Sequence, residues 1–573
     1  MRSVFLHSSL CFRRWTIFLT VLYVCSFVGY AQEQSSPITL QKNGQLHYTP
    51  DSLGNRIPDF SYAGYEGGDK AIPEAPVRII VPKGDGDATQ RIQRAIDYVA
   101  QLPIDAHGLR GAVVLEAGTY HVGGSIHLHT SGVVLRGSGF TKNGTVIKGT
   151  GTTRETLIRI LGKDNAERSG KQEIRDAYVP VNSFSVDVSD ASHFNVGDAV
   201  VITRPSTAKW IDVLGTGHFG GGLTSLGWKP GTRDVVWHRQ VQRVEGNRLV
   251  FDAPLTMALD TVYGRSTVEK CTWPGRIEQV GVENIALESV FDPGNLKDED
   301  HRWMAITIEN ARNVWVRRMQ FKHFAGSAVY ALSTASKLTV EDCLSLEPVS
   351  EIGGQRRYTY YTKGQQTLFQ RLYAENGYHD FAIGYLAAGP NAFVQCQAVA
   401  PFSFSGAIDS WASGALLDIL DIDAQALSFK NRGQDAQGAG WTAANSVFWQ
   451  CSAALVECYQ PPHAQNWAFG TWAQFQGDGF WDQSNEYIKP RSLYYAQLSD
   501  RIGSIAKERT VLLPVLTEAS STPSVEVAAD LTQQASTPPL QLKDFIVQAP
   551  ERYSLTTTAN GVKSVDELPI IKK

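Results

Sequence analysis

Residues 314–346, VWVRRMQFKHFAGSAVYALSTASKLTVEDCLSL, hold two short β-type runs separated by a turn-rich stretch, and the same kind of run recurs along the chain. The runs IALES, VWVRRMQF, LTVEDCLSL, LFQRLYAE, FVQCQAVA and FWQCSAAL align on Glu288, Arg317, Asp342, Gln370, Gln395 and Gln450. The offsets are 29, 25, 28, 25 and 55, the last fitting two turns with LLDILDID between them. One short strand per roughly 25 to 30 residues suits a solenoid whose strands stack in register. A propeller would need about four strands in every 40 to 45 residues, and no hairpin rhythm of that kind is present.

Working outward toward the N-terminus, residues 84–101 read GDGDATQRIQRAIDYVAQ and residues 111–139 read GAVVLEAGTYHVGGSIHLHTSGVVLRGSG. The spacing of Ile92, Ala95, Ile96 and Val99 predicts a helix from about Ala88 to Ala100. Asp87 followed by Gln90 has the pattern of a capping box. The runs after it are short strands bounded by Gly and Ser turns. Residues 176–262 break the solenoid pattern with alternating runs and a Gly246-Asn247 hairpin turn, as expected of a small inserted β module. Its glycine-rich HFGGGLTSLGW reads as a mobile loop. Residues 517–540 are rich in Ser, Thr, Pro, Ala and Gln, so 511–573 is expected to be a flexible C-terminal segment.

At the N-terminal end, Arg13 and Arg14 precede an apolar run from Trp15 to Val28, with small residues at Gly29 and Ala31. This is the pattern of a signal peptide, 1–31, and implies a secreted or periplasmic protein. The run is too short for a spanning helix, and Val24 before Cys25 argues against a lipid anchor. Cleavage leaves 50 basic against 57 acidic residues, with no positive excess for nucleic acid. Cys271, Cys343, Cys396, Cys451 and Cys458 then remain, an odd number without C-x-x-C spacing, which points to core cysteines. No later run reaches a membrane span, and no phosphate loop, dinucleotide fingerprint, His-Glu-x-x-His or nucleophile elbow occurs.

The acidic Gly-rich turn leading into a helix, then the Gly-Thr-Tyr turn and the Val-Leu-Arg-Gly rung, resembles the N-terminal signature of the pectate-lyase-like right-handed parallel β-helix superfamily. The resemblance implies an all-β solenoid with an N-terminal capping helix. Its members include polysaccharide lyases, glycoside hydrolases, epimerases and phage depolymerases, so it transfers no catalytic set. The expected division is an N-terminal extension over 32–75, cap and first rungs over 76–175, the inserted module, and the main coil over 263–510.

A β-helix offers a long groove for an extended polysaccharide. Counted from the strand markers, Asp298, Asp300, His323, Glu351, His379, Asp380 and Asp409 recur after successive strands, at offsets of 6 to 14 residues. In register they would form a single row. The densest stretch runs from Glu351 through Arg356, Arg357, Tyr358 and Tyr361 to His379 and Asp380. Arginine neutralises a uronate carboxylate and acidifies the adjacent proton, which a His or Tyr then removes. The expectation is β-elimination with Arg356 and Arg357 on the carboxylate, Tyr361 or His379 as base and acid, and Glu351 or Asp380 orienting them. His323, Tyr358, Asp409 and Trp411 are substrate-binding candidates. Asp298 with Asp300, and Asp421 with Asp423, are calcium candidates. A glycosidase using two of Glu351, Asp380 and Asp409, or a non-catalytic glycan-binding β-helix, remains open.

Overall fold

The computed structural model describes residues 36–573 apart from 220–224, 515–522, 537 and 570–573. The signal-peptide segment and the centre of the glycine-rich stretch therefore lie outside the described residues. No described helix is long and apolar enough to cross a membrane.

The chain is a right-handed parallel β-helix of three faces. Face A runs through Gly111–Leu115, Val133–Arg136 and the strand segments ending at Glu283, Arg317, Glu341 and Gln370. Face B follows each of these after a sharp corner. Face C is built by Ile126–Leu128, Ile158–Leu161, Met304–Glu309, Ser327–Ala331, Tyr360–Thr362, Phe381–Ile383 and Ser405–Ala407. On face B, Ile285 pairs with Met319, Met319 with Cys343, Cys343 with Leu372, Leu372 with Cys396 and Cys396 with Leu420, a repeat of 24 to 34 residues. The 55-residue interval does hold two turns, since Val394 pairs with Asp418 and Asp418 with Trp449.

The corner between faces A and B is made by a single residue at positive φ in each turn: Asn284, Arg318, Asp342, Arg371, Gln395, Ile419 and Gln450. The markers Asp342, Gln395 and Gln450 sit on this column. Arg317 and Gln370 precede it by one, and Glu288 pairs with Lys322, so the first marker is misplaced. The period varies because the connections from face B to face C, and in the turn holding 430–442 the connection from face C to face A, differ in length, while the corner does not.

Alternate side chains point inward and stack rung on rung, as strand periodicity requires. Phe369 stacks on Phe393 and Tyr360 on Phe381. Cys343, Cys396, Cys451 and Cys458 lie in this core, Cys271 is buried elsewhere, and all five are unpaired. The helix Thr89–Ala100 closes the first rungs with Ile92, Ala95, Ile96 and Val99 against the core. Asp87 serves its start differently from a capping box: the carboxylate accepts the Thr89 N–H and the Gly123 N–H, and Gln90 takes no part.

Between the face C strand Ile158–Leu161 and face A strand Ile277–Ser289 stands an antiparallel sheet of six strands. Its first and last strands in sequence, Glu167–Glu173 and Thr267–Thr272, pair with each other beyond the expected 176–262 span. Glu245 and Arg248 pair across the Gly246-Asn247 turn. At the C-terminal end, two described parts of 511–573 are docked. The helix Leu542–Val547 packs on Phe140, Leu344 and Tyr373, and Lys563–Ser564 pairs parallel with Ile79–Ile80. Apolar residues widely spaced within a polar segment hide this docking from a composition reading.

Candidate functional site

The outward positions of face C, read along successive rungs, are His127, Arg159, Thr307, Tyr330, Tyr361, Ala382, Gly406, Ser428 and Glu457. Side chains in register on neighbouring rungs must stack or leave space. Tyr330 and Tyr361 stack, with centroids 4.8 Å apart and planes within 5°. Beyond them the column falls to Ala, Gly and Ser. That room is taken by rings folding in from the edge of face B: Tyr358 meets Tyr361 at 5.7 Å and His379 at 4.9 Å, and His379 meets Phe404 at 4.5 Å. Tyr330, Tyr358, Phe404, Tyr361, Ala382 and Ile408 form one packed patch. The result is an aromatic pavement several rungs long.

Cations line it. Lys363 Nζ lies 5.5 to 5.8 Å from the ring centres of Tyr330, Tyr361 and Tyr385. Arg432 and Lys430 sit over Phe404 at 5.2 and 5.1 Å. From the inserted module, Arg233 donates to the Tyr385 hydroxyl at 2.9 Å and to Ser410 Oγ at 3.3 Å. Lys430 is paired with Glu457 at 2.7 Å, whereas Lys363, Arg432 and Arg233 have no carboxylate partner among the described residues. Asp409 lies across from the Tyr358 edge, folded over Gly384.

His379 is the titratable group most tightly held here. Its Nδ1 lies 2.6 Å from the Phe404 carbonyl oxygen, which can only accept, so Nδ1 carries the proton. Nε2 takes no hydrogen bond from the described residues and is left as an acceptor. Burial lowers its pKa to about 4, so the ring is neutral at pH 7. Burial also raises the Tyr361 and Tyr358 hydroxyls, keeping both protonated.

The structure brings together Tyr358, Tyr361 and His379, with Asp409 across the pavement, and separates the other sequence candidates. Arg356 is held by Glu299, on which it lies bidentately. Arg357 is buried and bonds Ser350 and the Asn376 carbonyl, so neither arginine is offered to a ligand. Asp380 is buried beneath the Gly377–His379 turn, where Thr359 Oγ1 donates to it at 2.6 Å, and burial raises its pKa to about 7. Glu351 is exposed and paired with Lys297 at 3.1 Å. His323 occupies the B–C corner, edge-on to Phe291 and 3.3 Å from Glu347. Trp411 is fully buried in the inserted module's core, 4.9 Å from Trp210, and has no face for a sugar.

The expected single row does not form. Asp298, Asp300, His323, Glu351, His379 and Asp380 all fall in B–C connections, which differ in length, whereas Asp409 follows face C at the opposite edge. Asp298 caps its own loop by accepting the Asp292 and Asp300 N–H groups. Asp421 accepts from Gln397, and Asp423 from the Ala400 N–H. No group of three His, Cys, Asp or Glu converges as a metal site among the described residues. Lys363, Tyr385, Phe404, Arg432 and Arg233 were missed from sequence. Only Lys363 had an available signal, standing two residues after Tyr361 and so on the same strand face.

A family model described as a domain of unknown function, DUF6298, matches residues 479–573. No curated protein matches the chain. Solved structures with a similar fold include the Gp54 tailspike of Acinetobacter baumannii bacteriophage AP22 in complex with an A. baumannii capsular saccharide, at 12% identity and TM-score 0.35, covering 71% of this chain and 65% of that one. The tailspike gp49 from Pseudomonas phage LKA1 matches at 11% identity and TM-score 0.33, covering 66% of this chain and 70% of that one. The tailspike of E. coli bacteriophage HK620, in complex with a pentasaccharide, matches at 14% identity and TM-score 0.31, covering 76% and 66%.

Proposed function

We propose that this protein binds an acidic polysaccharide along face C and cleaves it by β-elimination, in keeping with the resemblance to the pectate-lyase-like superfamily. The observation that carries this reading is Lys363, an ammonium without a carboxylate partner above the stacked pair Tyr330 and Tyr361. Aromatic faces hold the apolar faces of sugar rings, and unpaired cations beside them select rings bearing carboxylates.

In this reading Lys363 and Arg432 take the role expected of Arg356 and Arg357. Neutralising the uronate carboxylate acidifies the proton next to it. His379 is buried with the half-buried Tyr358 ring against it, so the sugar must displace Tyr358 to reach it. His379 Nε2 then removes that proton, the electron pair forms the ring double bond, and the bond to the leaving glycosidic oxygen breaks. The Tyr361 hydroxyl, which has no protein acceptor among the described residues, protonates that oxygen. A hydrolase would need two carboxylates flanking the scissile bond. On face C, Glu457 is held by Lys430, Glu309 by Arg159 and Glu155 by Arg302, which leaves Asp409 as the one pavement carboxylate without an ion pair among the described residues and favours elimination.

The test is His379→Gln assayed on a panel of polyuronates. It should abolish unsaturated products while the polymer is still retained on affinity gels. Loss of retention together with activity would instead make His379 a packing residue. Assay with added calcium and with chelator tests Asp421 and Asp423 as calcium ligands.

A further inference from the structure

Away from face C, a cavity of about 300 Å³ lies against the A–B corner. The N-terminal segment at Gly64–Ile72 and the C-terminal segment at Arg552–Tyr553 close over it. Its wall carries six cationic side chains against three carboxylates. The corner column supplies Arg318, Asp342 and Arg371 on successive rungs, alternating in sign.

The two carboxylates next to the corner column, Glu341 and Asp342, are already occupied, and the third, Glu508, is exposed. Asp342 accepts from Arg371 Nε at 2.8 Å and Nη2 at 3.1 Å, and from Arg552 Nη2 at 3.0 Å. Glu341 accepts from Arg371 and Gln370. Arg317 is bound to Glu283 at 2.7 Å. Arg509, half-buried, donates to the Gly68 carbonyl, and Lys70 is exposed. Among the buried arginines of the wall that leaves Arg318, only 4% exposed, with no hydrogen bond or ion pair among the described residues; its guanidinium lies 5.0 Å from the Tyr553 ring centre. A guanidinium with so little access to water and no protein acceptor favours an anionic one, and the cavity is beside it.

We propose that the cavity binds a small monoanionic carboxylate of sugar-ring size, with Arg318 as its bidentate partner and Tyr553 and Tyr495 as walls. The one buried guanidinium without an acceptor among the described residues matches one negative charge, and the neighbouring carboxylates of Glu341 and Asp342 disfavour a dianion such as phosphate. The volume suits a single sugar acid. The site is independent of the face C proposal and forms only when both terminal segments are docked.

The test is calorimetric titration of the full chain with sodium glucuronate, glucose and inorganic phosphate, with no polymer present. Glucuronate should bind one to one, glucose should not bind, and phosphate should bind more weakly. Arg318→Gln should weaken glucuronate roughly tenfold or more. If Arg318→Gln fails to fold, Arg318→Lys, which keeps charge but loses the fork, should weaken binding by a smaller factor. Absence of glucuronate binding, equal binding by folded Arg318→Gln, or glucose or phosphate binding as tightly as glucuronate would overturn the proposal.

Discussion

Tyr330 and Tyr361 occupy the same outward position on adjacent rungs, and their rings stack at 4.8 Å beneath the Lys363 ammonium. Parallel in-register pairing produces this contact, since residues matched across the rungs share one site on the face. Removing the exposed member, Tyr330→Ala, takes away one ring and one cation–π contact of about 1 to 2 kcal/mol in total. Polymer affinity should fall roughly 5- to 30-fold with the melting temperature nearly unchanged. Affinity electrophoresis in polyuronate gels reads this directly, and unaltered migration would remove Tyr330 from the binding surface.

Glu283 is fully buried, accepting from Arg136 Nε at 2.6 Å, Arg317 Nε at 2.7 Å and Trp315 Nε1 at 3.0 Å. These bonds tie face A of neighbouring rungs together, and the two guanidinium groups hold the Glu283 pKa low. Glu283→Gln leaves the buried Arg317 without its ion-pair partner and Arg136 with only Glu74, 3.6 Å away, and should cost about 3 to 5 kcal/mol. Denaturant melts should show this loss. A shift under about 1 kcal/mol would mean that water satisfies the arginines.

The buried ionisable groups oppose one another in their pH dependence. Burial raises Asp418 to about 7, so the folded state holds a proton that the unfolded chain releases near its ordinary value; this stability is full at acid pH and is lost as pH rises through about 7. His379 runs the other way: its pKa of about 4 lies below the unfolded value, so its contribution is present above about 6.5 and is lost as pH falls toward 4. Asp418 accepts from Ser492 Oγ and the Tyr494 N–H through one oxygen, a pattern an amide oxygen reproduces. Asp418→Asn should therefore raise stability at pH 8 relative to pH 5, by an amount on the order of a few kcal/mol. Parallel stability curves for the two proteins between pH 5 and 8 would refute the assignment.

The docked C-terminal helix supplies another test. Phe545 and Ile546 pack on Phe140, Leu344 and Tyr373, with Ile546 fully buried. Ile546→Ala should cost about 2 to 4 kcal/mol and increase proteolysis after residue 541. An unchanged melt would show that the segment is bound too weakly to count toward stability.

The fold was legible because a parallel coil repeats its inward apolar positions, so runs such as LTVEDCLSL and LFQRLYAE announce themselves without long-range information. The A–B corner was legible to within one residue at Arg317 and Gln370 for the same reason. The site was only partly legible. Tyr358, Tyr361 and His379 were chosen for their chemistry, and the coil does bring them together. Arg356 and Arg357 were chosen on the same grounds, but Glu299, Ser350 and the Asn376 carbonyl engage them, and those partners come from other turns. Trp411 was misassigned because its burial is created by Trp210, from an insertion some two hundred residues earlier. Arg233 and Arg432 reach the pavement from separate loops, and no local pattern marks them.

The most direct measurement is incubation of the protein with a panel of polyuronates and neutral polysaccharides, following ultraviolet absorbance of a new ring double bond together with reducing ends. The account predicts that both rise on a uronate polymer and that both are lost in Lys363→Gln while the fold is intact. Reducing ends without the absorbance, or cleavage of a neutral polymer unaffected by Lys363→Gln, would contradict it.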